Sequence, residues 1–108
     1  MEAIIDLGKA NSISKVGVHA NSSGGSRVYP PTEVQAYGST DGTTFNLLGS
    51  SFKFESDGST SFGWITAQFN TINARYVKVV AKNYTKIPQG MRGEGDPALI
   101  LIDEIAVN

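Results

Sequence analysis

Apolar side chains recur at every second position in several short windows of this chain, and nowhere do they hold helical spacing over three turns. Residues 12–20 (SISKVGVHA) set Val16, Val18 and Ala20 on one face and Lys15, Gly17 and His19 on the other, which predicts a strand with one side buried. Residues 33–38 (EVQAYG) repeat the pattern with Val34 and Ala36 inward. Residues 75–82 (RYVKVVAK) repeat it with Val77, Val79 and Ala81 inward. Shorter runs predict strands at 3–7 (AIIDL), ended by Gly8-Lys9, and at 45–48, 50–54 and 62–69. The last of these alternates loosely, with Phe62, Trp64 and either Ala67 or Phe69 on its buried side, and is followed by a turn at 70–74. Asp-Gly pairs at 41–42 and 57–58 supply the positive φ angles that tight turns need, and residues 21–31 (NSSGGSRVYPP) read as a loop.

The final segment has two halves of opposite character. Residues 84–97 are polar and glycine-rich, which predicts a loop; residues 98–107 form the densest apolar run, which predicts a buried closing strand. Within that run Ile100 and Ile102 share a face, but the next apolar pair is Ile105 and Val107. Alternation slips by one residue at Asp103-Glu104, and a β-bulge accounts for the slip. Roughly seven or eight short strands separated by turns predict an antiparallel β-sandwich, with the polar loop at its rim.

Composition narrows the class. A chain of 108 residues holds one domain, long enough for a core without metal or disulfide staples. Twelve glycines and four prolines favour turns and short strands. A formal net charge of −1, with no basic run, excludes the cationic footprint that nucleic acid demands. No stretch reaches the roughly 18 apolar residues of a membrane helix, and no signal-peptide pattern is present. Met1 stands directly before a strand-like segment, which reads as an artificial start, so missing targeting signals say little about location. The absence of cysteine excludes disulfides, zinc thiolates and a cysteine nucleophile, and suits both the cytosol and bacterial export.

Little in the chain supports catalysis. The single histidine, His19, has no serine in a Gly-x-Ser-x-Gly turn to partner it, which leaves a surface role or hydrogen bonding to a sugar hydroxyl. Glycosidase chemistry needs two carboxylates about 5 to 10 Å apart. The candidates are Asp57, Glu94-x-Asp96 and Asp103-Glu104, and adjacent strand residues point to opposite faces unless a bulge re-aims one. Gly90, Gly93 and Gly95 precede no helix and no Lys-Ser/Thr pair, so they do not make a phosphate loop. Asn21-Ser22-Ser23 and Asn83-Tyr84-Thr85 match the glycosylation sequon, which matters only in a secretory eukaryotic host. Among the loop-region aromatics Trp64 reads as core, whereas Tyr29 and Tyr84 stand between core and rim, where a ring can stack on a sugar. Arg27 and Arg92 lie in glycine-flanked loops and are multidentate donors.

Four segments in order, IIDLGKANSISKVGVHA, PPTEVQAYGSTDGTTFNLLG, ARYVKVVAKN and IDEIAV, resemble the discoidin domain, the coagulation factor five/eight type C family. Each is weak alone; together they span residues 5–107. Residues 83–107 are similar to the C-terminal discoidin-like modules of bacterial β-hexosaminidases (chitobiases) of Bacteroides type. The chain keeps Ile87, Pro88, Gly90, Gly93, Gly95, Pro97, Ala98, Asp103, Glu104 and Ile105, but has Met91 where that branch usually has His and Leu99 where it usually has Trp.

The resemblance implies an all-β, antiparallel jelly-roll sandwich of the galactose-binding-like class, a single domain over 1–108 that is a fragment of a larger protein. It also implies missing N-terminal strands, because the family usually begins well before its IDLG strand. In many relatives that missing part, with a Glu near the C-terminus, holds calcium. Glu104 matches that Glu, so an incomplete calcium site is expected and no cofactor otherwise, since calcium takes six to eight oxygens. The implied function is a non-catalytic carbohydrate-binding accessory module of a bacterial glycoside hydrolase of β-hexosaminidase type, secreted, periplasmic or at the cell surface. Its expected sugar ligands are His19, Arg27 and Tyr29 in the first loop and Tyr84, Lys86, Arg92 and Glu94 in the last. Expected partners are a glycan or glycoprotein sugar and the parent's catalytic domain, with no nucleic acid and no membrane; an unpaired sheet edge invites a homodimer. The alternative is a structural domain that packs on a neighbour and binds no sugar.

Overall fold

The computed structural model describes residues 1–23 and 27–108, so the loop reading at Gly24 and Gly25 lies outside the described residues. Six strands form in order: β1 (Glu2–Asn21), β2 (Glu33–Ser39), β3 (Asn46–Ser51), β4 (Phe54–Ser56), β5 (Phe62–Lys82) and β6 (Ile102–Val107). All strand pairs are antiparallel, in the order β3-β2-β5-β1-β6, with β4 also on β5. No helix occurs among the described residues.

Two strands of 20 and 21 residues organise the fold. Gly8-Lys9 does not end a strand, and 70–74 is not a turn. The β1–β5 register shifts between Asp6 and Asn11, and again between Ile13 and Lys15. The first shift loops out extra residues on β1, the second on β5. Pairing resumes past each, and the bent pair contributes to both layers of a sandwich, as strands that switch sheets through bulges do. One layer holds β3, β2, the end of β5 and the start of β1. The other holds β4, the start of β5, the end of β1 and β6.

The layers share one core. Val16, Val18, Ala20, Ile65 and Ala67 from one meet Val34, Ala36, Val77, Val79 and Ala81 from the other, each at most 1% exposed. The inward faces of β1, β2 and the end of β5 are those that alternation predicts. The start of β5 corrects the prediction for Phe62 and Trp64, while Ala67 lies on the buried side offered for it. Gly63, Ile65 and Ala67 face the core, while Phe62, Trp64 and Thr66 are half-buried on the outer face.

The closing segment also differs. Only 102–107 is strand; Leu99 and Leu101 are 43% and 48% exposed, and β6 is a half-buried edge paired with β1 alone. The predicted slip is real. His19 pairs with Glu104 and Ala20 with Ile102, which leaves Asp103 as the extra residue. Ile5 and Leu7 of β1, and Ile102, Ile105 and Val107 of β6, are only partly buried against the core, so the flank between these edges is open.

Gly63 fixes the place of the shortest strand. A Cβ there would lie 2.4 Å from the Glu55 carbonyl oxygen and 2.5 Å from Phe54 Cζ. Only a glycine lets β4 lie this close, with the Phe54 ring folded over the β5 backbone.

Candidate functional site

The loop between β5 and β6 is closed on itself before it reaches the rim. The amide of Ile87 donates to the Asp96 carbonyl at 2.8 Å, that of Gly95 to the Ile87 carbonyl at 3.0 Å, and that of Ala98 to the Tyr84 carbonyl at 3.0 Å. Ile87, 2% exposed, anchors it in the protein. A loop whose backbone groups are satisfied internally presents its side chains without an ordering cost.

This loop packs on the segment after β1. The Leu99 amide donates to the Arg27 carbonyl at 2.8 Å, and Val28 bridges Leu99 in parallel. Tyr29 is held from several sides. Its hydroxyl donates to the Arg92 carbonyl at 2.7 Å, its ring meets Tyr84 edge-to-face at 5.9 Å, and the Arg92 guanidinium lies 4.9 Å from the ring centre. Arg92 also donates to the Val28 carbonyl at 3.0 Å. The Asn83 amide nitrogen donates to the Tyr29 carbonyl, and its oxygen accepts from the Tyr84 amide, each at 2.8 Å. Asn83 is therefore a strut between the main chains of the two tyrosines rather than an accessible sequon. Beside Tyr29 and Tyr84 opens a cleft of about 340 Å³, completed by Pro30, Pro31, Thr32, Phe52 and Phe54. Phe52 is 73% exposed. Rings with polar handles around a shallow apolar floor suit the flat apolar face of a pyranose.

His19 belongs to a different constellation. Its Nδ1 lies 2.6 Å from Asp103 Oδ1 and its Nε2 2.7 Å from Asp57 Oδ2. Its ring stacks on Phe62 at 5.3 Å and tilts against Trp64 at 4.8 Å. The bulge explains the contact with Asp103, because the inserted residue turns its carboxylate toward the neighbouring strand. Two flanking carboxylates favour the imidazolium, which alone can donate from both nitrogens. Asp57 first and Asp103 second hold the His19 pKa above its ordinary value near 6.5. Ser59 first and then His19 bring the Asp57 carboxyl down to about 2. A sugar hydroxyl reaching either ring nitrogen would have to displace an aspartate.

Glu104 is exposed, its neighbour Asp103 is turned to His19, and no group of three or more His, Cys, Asp or Glu among the described residues is gathered as a metal site. Of the expected sugar ligands, the structure brings together Tyr29, Tyr84 and Arg92, with Arg27 joined through its main chain. Lys86 and Glu94 are exposed along the same loop. Sequence reasoning missed Phe52 and Phe54, whose Phe-x-Phe spacing in a polar stretch was the available signal, and the pairing of His19 with Asp57 and Asp103, which entered as candidate glycosidase carboxylates without a histidine between them.

The antiparallel, two-layer β architecture is that of the galactose-binding-like folds. The F5/8 type C domain model matches residues 2–94, and the chain belongs to that family. Among solved structures it is similar to the C-terminal domain of a chitobiase from Bacteroides fragilis, with 26% identity and a TM-score of 0.64 over 99% of this chain and 61% of that one. It is also similar to CBM32-1 of a family 31 glycoside hydrolase from Clostridium perfringens, with 29% identity and a TM-score of 0.52 over 76% of this chain and 58% of that one. A third neighbour, CpGH89CBM32-5 from Clostridium perfringens, was solved in complex with GalNAc-beta-1,3-galactose; it shares the fold at 23% identity and a TM-score of 0.55, over 94% of this chain and 63% of that one. The chain thus spans less than two thirds of each of these solved chains. No curated protein matches it.

Proposed function

We propose that the chain is a non-catalytic carbohydrate-binding accessory module that holds a glycoside hydrolase of β-hexosaminidase type, outside the cytoplasm, near its glycan. The observation that carries this reading is the prebuilt cleft of Tyr29, Tyr84, Phe52 and Phe54. Its likeness to modules of glycoside hydrolases supports the same reading. The ligand is a single terminal sugar or a disaccharide, since the cleft is shallow. Binding is weak, because few polar contacts remain after association has cost translational freedom. The open flank between β1 and β6 takes a further strand, from a second copy or from an adjoining segment.

A second reading rests on the same rim. The Tyr29 hydroxyl and the Arg92 guanidinium already bond the main chain, and exposed Leu99 offers an apolar contact, which suits a domain that only packs on a neighbour. Amide NMR during titration with a panel of mono- and disaccharides separates the two. Saturable shifts at Tyr29, Thr32 and Tyr84, weakened at least tenfold by Tyr84→Ala, support sugar binding. An unmoved spectrum with every sugar supports packing alone.

A further inference from the structure

We infer that the outer face of the β4–β5–β1–β6 layer is a second glycan site, distinct from the rim cleft, which takes an extended oligosaccharide chain across the strands. Two clefts meet there, of about 440 Å³ and 200 Å³. Both are lined by Lys15, Trp64 and Thr66. The first runs on to Lys53 and Glu55 on the β4 side, where Ser50 and Ser51 at the end of β3, from the other layer, wall it; the second runs to Ala106 of β6. Joined, they form a trough crossing four strands, roughly 15 Å at the usual strand spacing. That length suits several linked sugars rather than one terminal ring.

The chemistry of the trough favours sugar over protein. Its walls are hydroxyl, amide and ammonium groups of Ser50, Ser51, Thr66, Gln68 and Lys15, whereas the cores of protein interfaces are depleted in Lys, Glu and Ser. Its floor carries a single indole. Gly17 is buried beneath it, and a Cβ there would lie 3.1 Å from Trp64 Cε3 and 3.0 Å from Thr66 Oγ1, so the ring lies low over the strand. Lys53 and Glu55 face each other at 3.5 Å, and Lys15 has no carboxylate within ion-pair distance among the described residues. A hydrogen-bonding trough around one flat indole is built for a polyhydroxylated chain with alternating polar edges and apolar faces. The site shares no residue with the rim cleft. Adjacent residues of β4 serve the two, Phe54 the rim and Glu55 the trough.

Trp64 is the only tryptophan, so its fluorescence reads the trough and not the rim. The experiment combines that signal with affinity electrophoresis of the whole chain through gels containing amylose, xylan, laminarin, glycol chitin or polygalacturonate. At least one polysaccharide should retard the wild type. Its oligomers should shift Trp64 emission with an affinity that grows from disaccharide to hexasaccharide. Trp64→Ala and the exposed pair Lys15→Ala with Gln68→Ala should each weaken retardation at least tenfold, while Trp64→Phe restores part of it and Tyr84→Ala leaves it unchanged. Unchanged thermal unfolding of the Lys15/Gln68 double variant keeps the test independent of folding. No retardation by any of the five polysaccharides overturns the proposal. Retardation lost in Tyr84→Ala but kept in the trough variants also overturns it, and leaves the rim reading standing. A wild-type dimer that the double variant dissociates overturns it too, since a second copy would then occupy the trough.

Discussion

Gly63→Ala tests the local packing that both candidate sites rest on. The added methyl would sit 2.4 Å from a backbone oxygen and 2.5 and 2.9 Å from two atoms of the Phe54 ring. Contacts of that kind need roughly 3.4 Å or more, so β4 must retreat by about an ångström. It cannot take a β-bulge elsewhere, because its three residues pair only with β5. Overpacking of this kind costs about 1–3 kcal/mol. Phe54 is partly buried against the core, so its partial undocking falls within that range rather than adding a full side chain of burial. At roughly 4 °C per kcal/mol for a domain of this size, Tm should fall by about 4 to 12 °C. Urea unfolding followed by far-UV circular dichroism gives the free energy, and saccharide titration gives the cleft. Gly58→Ala is the comparison. Its turn has φ +97° but nothing within 4 Å of the new Cβ, so it strains the backbone without moving β4. In a Phe54→Ala background the ring clash disappears and only the clash with the Glu55 oxygen persists, so Gly63→Ala should cost measurably less there. A loss below about 0.5 kcal/mol in the wild-type background, with cleft binding intact, would refute the claim that Gly63 positions β4.

The His19 clamp makes two predictions. Its contribution is complete below the ordinary histidine pKa near 6.5, and is lost as pH rises through the raised folded-state value. Asp57 contributes the opposite limb, present above 3.8 and lost as pH falls through about 2. Stability should therefore be greatest between about pH 4 and 6.5. Trp64 emission should rise as the imidazolium 4.8 Å away loses its proton, and both the rise and the alkaline limb should vanish in His19→Gln. The groups facing the ring are Asp57 and Asp103, with Glu104 its register partner on β6. Deleting Asp103 removes the bulged residue and restores strict alternation through Ile102, Ile105 and Val107. The protein should still fold, with β6 paired to β1, while the His19 pKa read by NMR falls toward its ordinary value; an unchanged titration would show that Asp103 does not hold the proton.

The inward faces of β1, β2 and the end of β5 were legible because each window has apolar residues on one face only. The start of β5 was not, because it is apolar on both. Phe62 and Trp64 outweigh Ile65 in size, and reading the larger pair as core turned the first residues of the strand over. The outer face covers those rings locally, by stacking Phe62 on His19 and laying Trp64 over Gly17. Such cross-strand partners lie far apart in sequence. Gly8-Lys9 and 70–74 were misread for a related reason: a bulge and a turn have the same residue types, and only the resumption of pairing beyond them tells the two apart. The slip at Asp103-Glu104 was legible because apolar residues flank it on both sides. Its consequence, a carboxylate turned onto His19, depends on the neighbouring strand. Convergence of Tyr29 with Tyr84 and Arg92 was expected through the family resemblance, whereas Phe54 joins the cleft from a strand too short to carry a pattern and Phe52 from the link before it.

The register of β4 couples the rim cleft to the trough. Side chains alternate along a strand, so Phe54 faces the rim and Glu55 the outer trough only while Phe54 pairs with Ile65 and Glu55 with Trp64. A slip of one residue would place Glu55 where an apolar ring belongs and a phenyl ring in a polar trough. Three residues of pairing are a weak restraint on such a slip, and the nearest flanking apolar residue, Phe52, is 73% exposed and adds little burial to fix it. What fixes it is the Phe54 ring lying over a glycine, a place that neither flanking β5 position, Phe62 or Trp64, can offer. Gly63→Ala should therefore weaken sugar binding at the rim and polysaccharide retardation at the trough together, whereas Tyr84→Ala and Trp64→Ala each weaken one alone. Retention of trough binding in Gly63→Ala with loss at the rim would show that β4 moves without changing register.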